Sequence, residues 1–280
     1  MSVTEQPGPT IDAGAAAALL GPLTAIVVQA GAAILAVDRR TMTSDGKADG
    51  SPVTEADLAA EGVIAEGLAR LSPDVPVLSE ERTQLARWPF GPSYFLVDPL
   101  DGTKEFIAGR NEFTVNVAVV TNGVPLLGIV SAPALGLLWR GIVGRGAERL
   151  EIGEGQSAAA KPIRTRPAPL RDGWIATTSR SHGDSRTEAF IARYPEIVRQ
   201  VAGSAVKFCR VAEGAADIYP RLAPTCEWDV AAGHAVITAA GGVVTDSTCA
   251  PLRFGARPAD FLVPEFVAWG DPAAVNRSAP

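Results

Sequence analysis

The densest group of residues able to do chemistry is Leu96-Val-Asp98-Pro-Leu-Asp101-Gly-Thr103-Lys-Glu-Phe106. An apolar run there delivers two carboxylates, three residues apart, into a Pro/Gly turn ahead of a helix. Hard divalent cations such as magnesium take oxygen ligands in near-octahedral geometry and keep some waters, so two aspartates from one rigid turn can bridge a pair of ions. Gly102 and Thr103 would offer backbone N–H groups at a helix N-terminus, where orphan donors and the helix dipole favour a phosphate. The plainer reading is an Asp-Pro and Asp-Gly turn with Asp101 as a helix cap. An aspartyl-phosphate route needs a nucleophilic aspartate two residues before the second one. Position 99 is proline, which leaves metal-activated water as the nucleophile.

Three further acids stand at comparable corners. Glu80 lies in Ser79-Glu80-Glu81 after a short apolar strand, Asp57 in the first turn of a helix capped by Thr54, and Asp229 in Glu227-Trp228-Asp229 before an alanine-rich helix. Each has a bland reading as a solvated charge or a helix cap. Together with Asp98 and Asp101, however, all five acids end a strand or begin a helix.

The elements that must hold them can be read from periodicity. From Ala13 to Val37 no residue is charged, a span long enough for a bilayer, but Gly14, Gly21, Pro22, Thr24, Gln29 and Gly31 interrupt it. A buried first helix is the expectation. Pro22 would sit in its first turn, and Leu23, Ile26, Val27, Ala30, Ile34 and Val37 would form its apolar face. Thr54-Glu-Ala-Asp57 has the form of a capping box and opens a second helix running to Arg70. Strands are expected at Val75–Leu78, Tyr94–Val97, Phe113–Val120, Leu126–Ser131 and Leu137–Val143, with a turn at Asn122-Gly123, which gives an antiparallel meander. Gly141 to Gly146 fits a hairpin turn better than a phosphate loop. The proline-rich stretch Lys161 to Pro169 reads as a linker. Beyond it, Trp174–Thr177 and Ala205–Arg210 read as strands, and Ser185–Tyr194 and Asp229–Ala240 as helices, an α/β pattern.

Composition narrows the function classes. The 280 residues are 47% hydrophobic and 20% charged, which suits a folded globular chain that needs no disulfide or structural metal for its core. A net charge of -6 argues against a general nucleic-acid binder. Three scattered cysteines, Cys209, Cys226 and Cys249, point to a reducing compartment and away from zinc. No lysine or arginine precedes the apolar run, so it lacks the basic start of a signal peptide.

The ordered acids and their surroundings resemble the lithium-sensitive, magnesium-dependent phosphatase superfamily that includes the inositol monophosphatases, and within it the CysQ-type 3'(2'),5'-bisphosphate nucleotidases. The resemblance runs from about Leu23 to Phe266. It is carried by Ser51-Pro-Val-Thr-Glu-Ala-Asp57, Val77-Leu-Ser-Glu-Glu81, the Asp98 to Phe106 run, Glu112-Phe-Thr-Val-Asn116, Ser179-Arg-Ser-His182, Lys207-Phe-Cys209, Ala212-Glu-Gly214, Tyr219-Pro-Arg221 and Trp228-Asp-Val-Ala-Ala-Gly-His-Ala235.

The resemblance implies an α/β (α+β) layered sandwich, with helices on an antiparallel sheet in the first half and α/β structure in the second. The expected division is an extension over 1–20, a metal-binding domain over 21–160 and a specificity domain over 161–280. It further implies that Glu80, Asp98, Asp101, Asp229 and the Leu100 carbonyl hold two to three magnesium ions, and that Asp57 and Thr103 orient and deprotonate the attacking water. Glu81 would support a ligand without being one. Gly102, Thr103, His182, Ser204, Lys207, Arg221 and Asp229 are the expected substrate contacts, whereas His234 is expected to be structural. The implied reaction is hydrolysis of the 3'-phosphate of 3'-phosphoadenosine 5'-phosphate to AMP and phosphate, a step in sulfur assimilation. An inositol or sugar monophosphatase, which has no need of Lys207 and Arg221, is the alternative, as is an interaction protein built on the same fold. The expected location is the cytoplasm, with peripheral association at the inner membrane left open, and the sequence leaves the oligomeric state undecided.

Overall fold

A computed structural model of the chain describes residues 8–46, 52–85, 90–153, 156–157, 159–170, 173–180, 183–194, 196–256 and 261–278. Helix α1 (Ala13–Ala36) starts at Asp12, whose side chain accepts the N–H groups of Gly14 and Ala15. Leu23, Val27, Ala30 and Ile34 form its fully buried face. Pro22 therefore lies in the helix interior and not in the first turn as expected. The break is tolerated because Pro22 and Ala18, whose carbonyl loses its partner, are both exposed to water. By length and mean hydropathy (1.9) α1 could cross a membrane, and here one face of it packs in the core. Helix α2 (Glu55–Leu71) begins at the expected capping box of Thr54 and Asp57.

Both helices cover one face of the larger sheet. Its strands run in the spatial order Lys161–Ile163, Gly146–Gly153, Leu137–Ile142, Val124–Ala132, Thr114–Thr121, Ser93–Asp101 and Val77–Ser79, with Gln156–Ser157 beside Gly146–Gly153. All pairings are antiparallel except the last, so the expected meander is present. Asn122 and Gly123 form its first turn with positive φ at both residues. Lys161–Ile163 is an edge strand of this sheet, so the stretch read as a linker begins inside the fold.

The strand Ser93–Asp101 explains why its sequence is an unbroken apolar run. Phe95 and Val97 point into the core beneath α1 and α2, while Tyr94 and Leu96 point to the opposite core. With both faces covered, alternation has no reason to appear.

The second sheet has the order Val198–Ala202, Ile175–Ser179, Ile218–Arg221, Phe266–Trp269 and Val243–Thr245, parallel in its first three strands. Helix α3 (Thr103–Ile107) is a short turn in the loop after Asp101, and α4 (Ser185–Ile191) links the parallel strands Ile175–Ser179 and Val198–Ala202, the latter at the sheet edge. Helices α5 (Val206–Ala212) and α6 (Glu227–Ala239) lie between the sheets, where Phe208, Val236 and Phe266 meet Leu96, Val120 and Trp139. Helix α7 (Pro272–Ser278) and α4 pack outside, with Phe190 and Ala274 near Trp174 and Trp269. The result is five layers, α/β/α/β/α.

Helix α5 corrects the strand expected at Ala205–Arg210. Nearly every one of its side chains is buried, and a short apolar segment with no exposed face shows neither period clearly. Gly128 lets α6 approach the sheet, since a Cβ there would stand 2.2 Å from the Ala232 carbonyl oxygen.

Candidate active site

The strand Ser93–Asp101 pairs Asp98 with Asn116 and Asp101 with Thr114, four residues against three. The extra residue makes a bulge at Pro99 and Leu100, where proline's missing N–H costs no ladder bond. Asp98 is buried, and its Oδ1 accepts the Leu100 N–H at 3.0 Å. Asp101 Oδ2 accepts from Thr114 Oγ1 and Asn116 Nδ2, both at 3.3 Å. Gly102 follows at φ 95°, a left-handed conformation, and a Cβ there would stand 2.2 Å from Ser204 Oγ. Glycine is required twice over.

Two helix N-termini close on this bulge, and each contributes an aspartate as the acidic member of a capping box. Asp57 Oδ2 accepts the Thr54 N–H (2.7 Å) and hydroxyl (2.6 Å), which leaves Oδ1 to accept from Thr103 Oγ1 at 3.0 Å. The same threonine hydroxyl lies 3.2 Å from the Leu100 carbonyl oxygen. Asp229 Oδ2 accepts from Thr225 Oγ1 and from the Cys226 N–H (3.2 Å). Glu80 opens the 3-10 turn after the edge strand Val77–Ser79.

The proximity of these acids shows in their electrostatics. Burial, then the charges of Glu80, Asp101, Asp229 and Asp57, push the Asp98 carboxyl well above the usual carboxylate range. Burial and then Asp229 push Asp101 up to about 6, against the attraction of Lys207. The other four predicted acids therefore all act on Asp98, and Glu80, Asp101 and Asp229, with Thr103, line a cleft of about 210 Å³.

The predicted basic residues enter the same cleft. Lys207, on α5, is buried with Nζ donating to the Ser204 carbonyl at 2.7 Å and standing 5.3 Å from the Tyr219 ring centre. Its charge faces Asp101. Arg221 Nη2 donates to the Pro224 carbonyl at 3.4 Å, and its Nε is buried with no protein partner. Although burial opposes its charge, Tyr219, Asp229 and Asp101 hold the guanidinium above its ordinary value. Ser204 lines the cleft, but its hydroxyl sits between the Asp101 and Glu112 carbonyl oxygens at 2.8 and 3.0 Å, so it straps the turn after Asp101 to the start of α5. His182 lies outside the described residues. His234 is buried in α6 and pushed down to about 4 by that burial, which keeps it neutral as a structural residue.

The cluster fits magnesium by its donor chemistry. All the converging acids are hard oxygen donors that repel one another, so a cation relieves a cost already present. Asn116 Oδ1, a further oxygen beside Asp101, is buried without a partner. Among the described residues no three His, Cys, Asp or Glu side chains form a ready cage around one point. A magnesium ion needs no such cage, since it takes one or two carboxylates and fills its remaining positions with water and phosphate.

Sequence reading found Thr54 as a helix cap but missed two other hydroxyls that aim the acids: Thr225, a few residues before Asp229, and Thr114 on the neighbouring strand. The Thr54 signal was present in the capping box, but its second partnership, with Asp57 Oδ2 through the hydroxyl, was not legible. The aromatic floor of the cleft, Phe208, Tyr219 and Phe266, was also missed. Those rings come from three separate elements.

Comparison with known proteins agrees with this geometry. The sequence model of the inositol monophosphatase family matches residues 18–276. The chain is 43% identical over 256 residues to the 3'(2'),5'-bisphosphate nucleotidase CysQ of Escherichia coli strain K12, which covers 89% of this chain and 98% of that protein. The crystal structure of CysQ from Bacteroides thetaiotaomicron, described as a bacterial member of the same family, superposes with a TM-score of 0.75 at 35% identity, covering 90% of this chain and 97% of that one. An inositol monophosphatase from Zymomonas mobilis has a TM-score of 0.74 at 26% identity, covering 94% and 97%. From the bulge that presents Asp98 and Asp101 to the last strands of the second sheet, the chain belongs to the inositol monophosphatase family and stands with its CysQ-type members.

Proposed function

We propose that this chain is a magnesium-dependent phosphatase that removes the 3'-phosphate of 3'-phosphoadenosine 5'-phosphate, giving AMP and phosphate. The observation that supports the reading is one cleft lined by Glu80, Asp101 and Asp229 together with two cations, Lys207 and Arg221, with the buried Asp98 behind it feeling the charges of those acids and of Asp57. A monophosphate needs the acids alone, whereas a bisphosphate brings a second group that takes no part in the reaction and needs cations of its own. The similarity to the nucleotidase named CysQ, at 43% identity, supports the same choice.

Glu80, Asp98, Asp101, Asp229 and the Leu100 carbonyl would hold two to three magnesium ions. When bound, the metal neutralises phosphate charge and makes a water acidic enough to ionise near neutral pH. Thr103 Oγ1 takes the proton of that water while passing its own to Asp57 Oδ1, 3.0 Å away. Both Thr54 contacts occupy Asp57 Oδ2, so Oδ1 is the oxygen left for the relay. The water oxygen bonds to phosphorus, the bond from phosphorus to the ribose 3'-oxygen breaks, and that oxygen takes a proton from solvent while Asp57 releases the relayed proton to solvent. The N–H groups of Gly102 and Thr103 and the Asp229 side chain orient the reacting phosphate. Ser204, Lys207 and Arg221 face the nucleotide, and the sequence resemblance assigns His182 to the same substrate. In this reading residues 21–160 carry the metal ligands other than Asp229, residues 161–280 supply Asp229 and the specificity, and the enzyme works in the cytoplasm on a small nucleotide, without nucleic acid.

The test is product identity. Incubation with 3'-phosphoadenosine 5'-phosphate and millimolar magnesium should yield 5'-AMP. Formation of 3'-AMP, or no turnover while inositol 1-phosphate is hydrolysed, would reject the reading.

A further inference from the structure

Helix α2 carries a second buried acid that the catalytic scheme does not use. Glu61 is one helical turn beyond Asp57, on the same side of α2, and is 4% exposed. Its Oε2 accepts from Ser79 Oγ at 2.6 Å, and its Oε1 pairs with Arg82 Nε at 2.7 Å. Those two partners flank Glu80 and Glu81. Arg82 is the one residue of the turn Glu80–Leu85 with non-helical backbone, φ -133° and ψ 29°, a kink within the segment that reaches Glu61. Glu61, Ser79 and Arg82 line a separate hollow with Leu68, Val75 and Val77, away from the catalytic cleft. Glu61 therefore has no route to substrate.

The turn needs holding. Among the described residues the strand Val77–Ser79 is at the edge of its sheet and pairs only with Phe95–Val97, so the sheet holds it from one side where Glu80 begins. Glu80 also faces Asp98, whose charge it opposes.

We propose that Glu61 is a positioning residue: gripping Ser79 and Arg82 on either side, it fixes the Glu80 turn to the helix that carries Asp57, and so keeps the metal-binding acids at their working separation before any ion arrives. The inference rests on the reading of Glu80 as a metal ligand. Its strength should follow that of other groups that orient metal ligands, whose loss costs about 10–100-fold in affinity.

The test uses Glu61→Gln, which preserves an acceptor for Ser79 while removing the charge that holds Arg82, and Arg82→Met as the reciprocal change. Two quantities are read: magnesium affinity by titration calorimetry without substrate, and amide hydrogen exchange of residues 80–82 in metal-free protein. The expected result is magnesium binding about 10–100-fold weaker in both variants, with faster exchange at the turn and kcat close to wild type once magnesium is saturating. A purely structural role would lower the melting temperature and leave magnesium affinity of the folded protein unchanged. Wild-type affinity together with wild-type exchange in Glu61→Gln overturns the inference. If wild-type protein itself fails to bind magnesium, the reading of Glu80 fails instead. Unchanged exchange would then still reject the clamp, and accelerated exchange would uphold its grip on the turn.

Discussion

Replacing Asp101 with asparagine should stabilise the metal-free protein at pH 8 while it removes activity. Burial and the Asp229 charge move the Asp101 carboxyl from 3.8 to about 6. A carboxyl with a raised folded-state pKa binds its proton more tightly when folded, so its contribution is full below about 3.8 and is lost as pH rises through about 6. At pH 8 the ionised folded group carries the whole difference. At 1.36 kcal/mol per pKa unit that is about 3 kcal/mol. Asparagine has no charge to bury and still offers an oxygen to Thr114 or Asn116. For 280 residues, an unfolding entropy of about 2.1 cal/mol/K per residue converts this into a rise in Tm of about 5 °C. The assay is differential scanning calorimetry of both proteins in chelator, at pH 4 and pH 8. The expected result is a 5 °C advantage (roughly) for the variant at pH 8 that nearly vanishes at pH 4. Millimolar magnesium should reverse the order at pH 8, because only wild type gains the stabilisation that comes from binding. A variant no more stable than wild type at pH 8 in chelator would refute the argument that these acids repel one another in a buried cluster.

Other consequences follow from single contacts. Thr103→Val removes the hydroxyl between Leu100 and Asp57, so steady-state kinetics should show kcat reduced by about 10²-fold or more with KM little changed. Lys207→Ala and Arg221→Ala should each lose about 1.5–3 kcal/mol of charge-assisted binding, roughly 10- to 150-fold in kcat/KM for 3'-phosphoadenosine 5'-phosphate, and little for inositol 1-phosphate. Equal losses on the two substrates would mark these residues as structural. Gly128→Ala places a methyl group 2.2 Å from the Ala232 carbonyl oxygen, and urea unfolding should show a cost of about 1–3 kcal/mol as α6 is pushed from the sheet.

What was legible in the sequence divides along physical lines. Asp57 was readable because local chemistry fixes it: a threonine three residues earlier closes a capping box whatever the rest of the chain does. Asp98 and Asp101 were readable because an apolar run broken by Pro99 and Gly102 has few conformations open to it. Helix α5 was not legible, since its exposure is set by two sheets that meet only in the folded protein. The position of Pro22 was misread for a related reason: Asp12 caps α1 ten residues upstream, and the intervening alanines carry no periodic signal. Lys207 shows how far a resemblance reaches. Its presence in the cleft was anticipated, but its contact with the Ser204 carbonyl and its attraction to Asp101 depend on burial, which no local spacing reveals.

The central claim is that one acidic cleft, loaded with magnesium, discriminates a bisphosphorylated nucleotide from a monophosphate through two cations on its far wall. The most direct measurement is kcat/KM for 3'-phosphoadenosine 5'-phosphate and for inositol 1-phosphate on the same preparation, across a magnesium titration and in chelator. The account predicts a preference for the nucleotide that requires magnesium and shrinks toward parity in Arg221→Ala. A preference for inositol 1-phosphate, or hydrolysis of the nucleotide that persists in chelator, would contradict it.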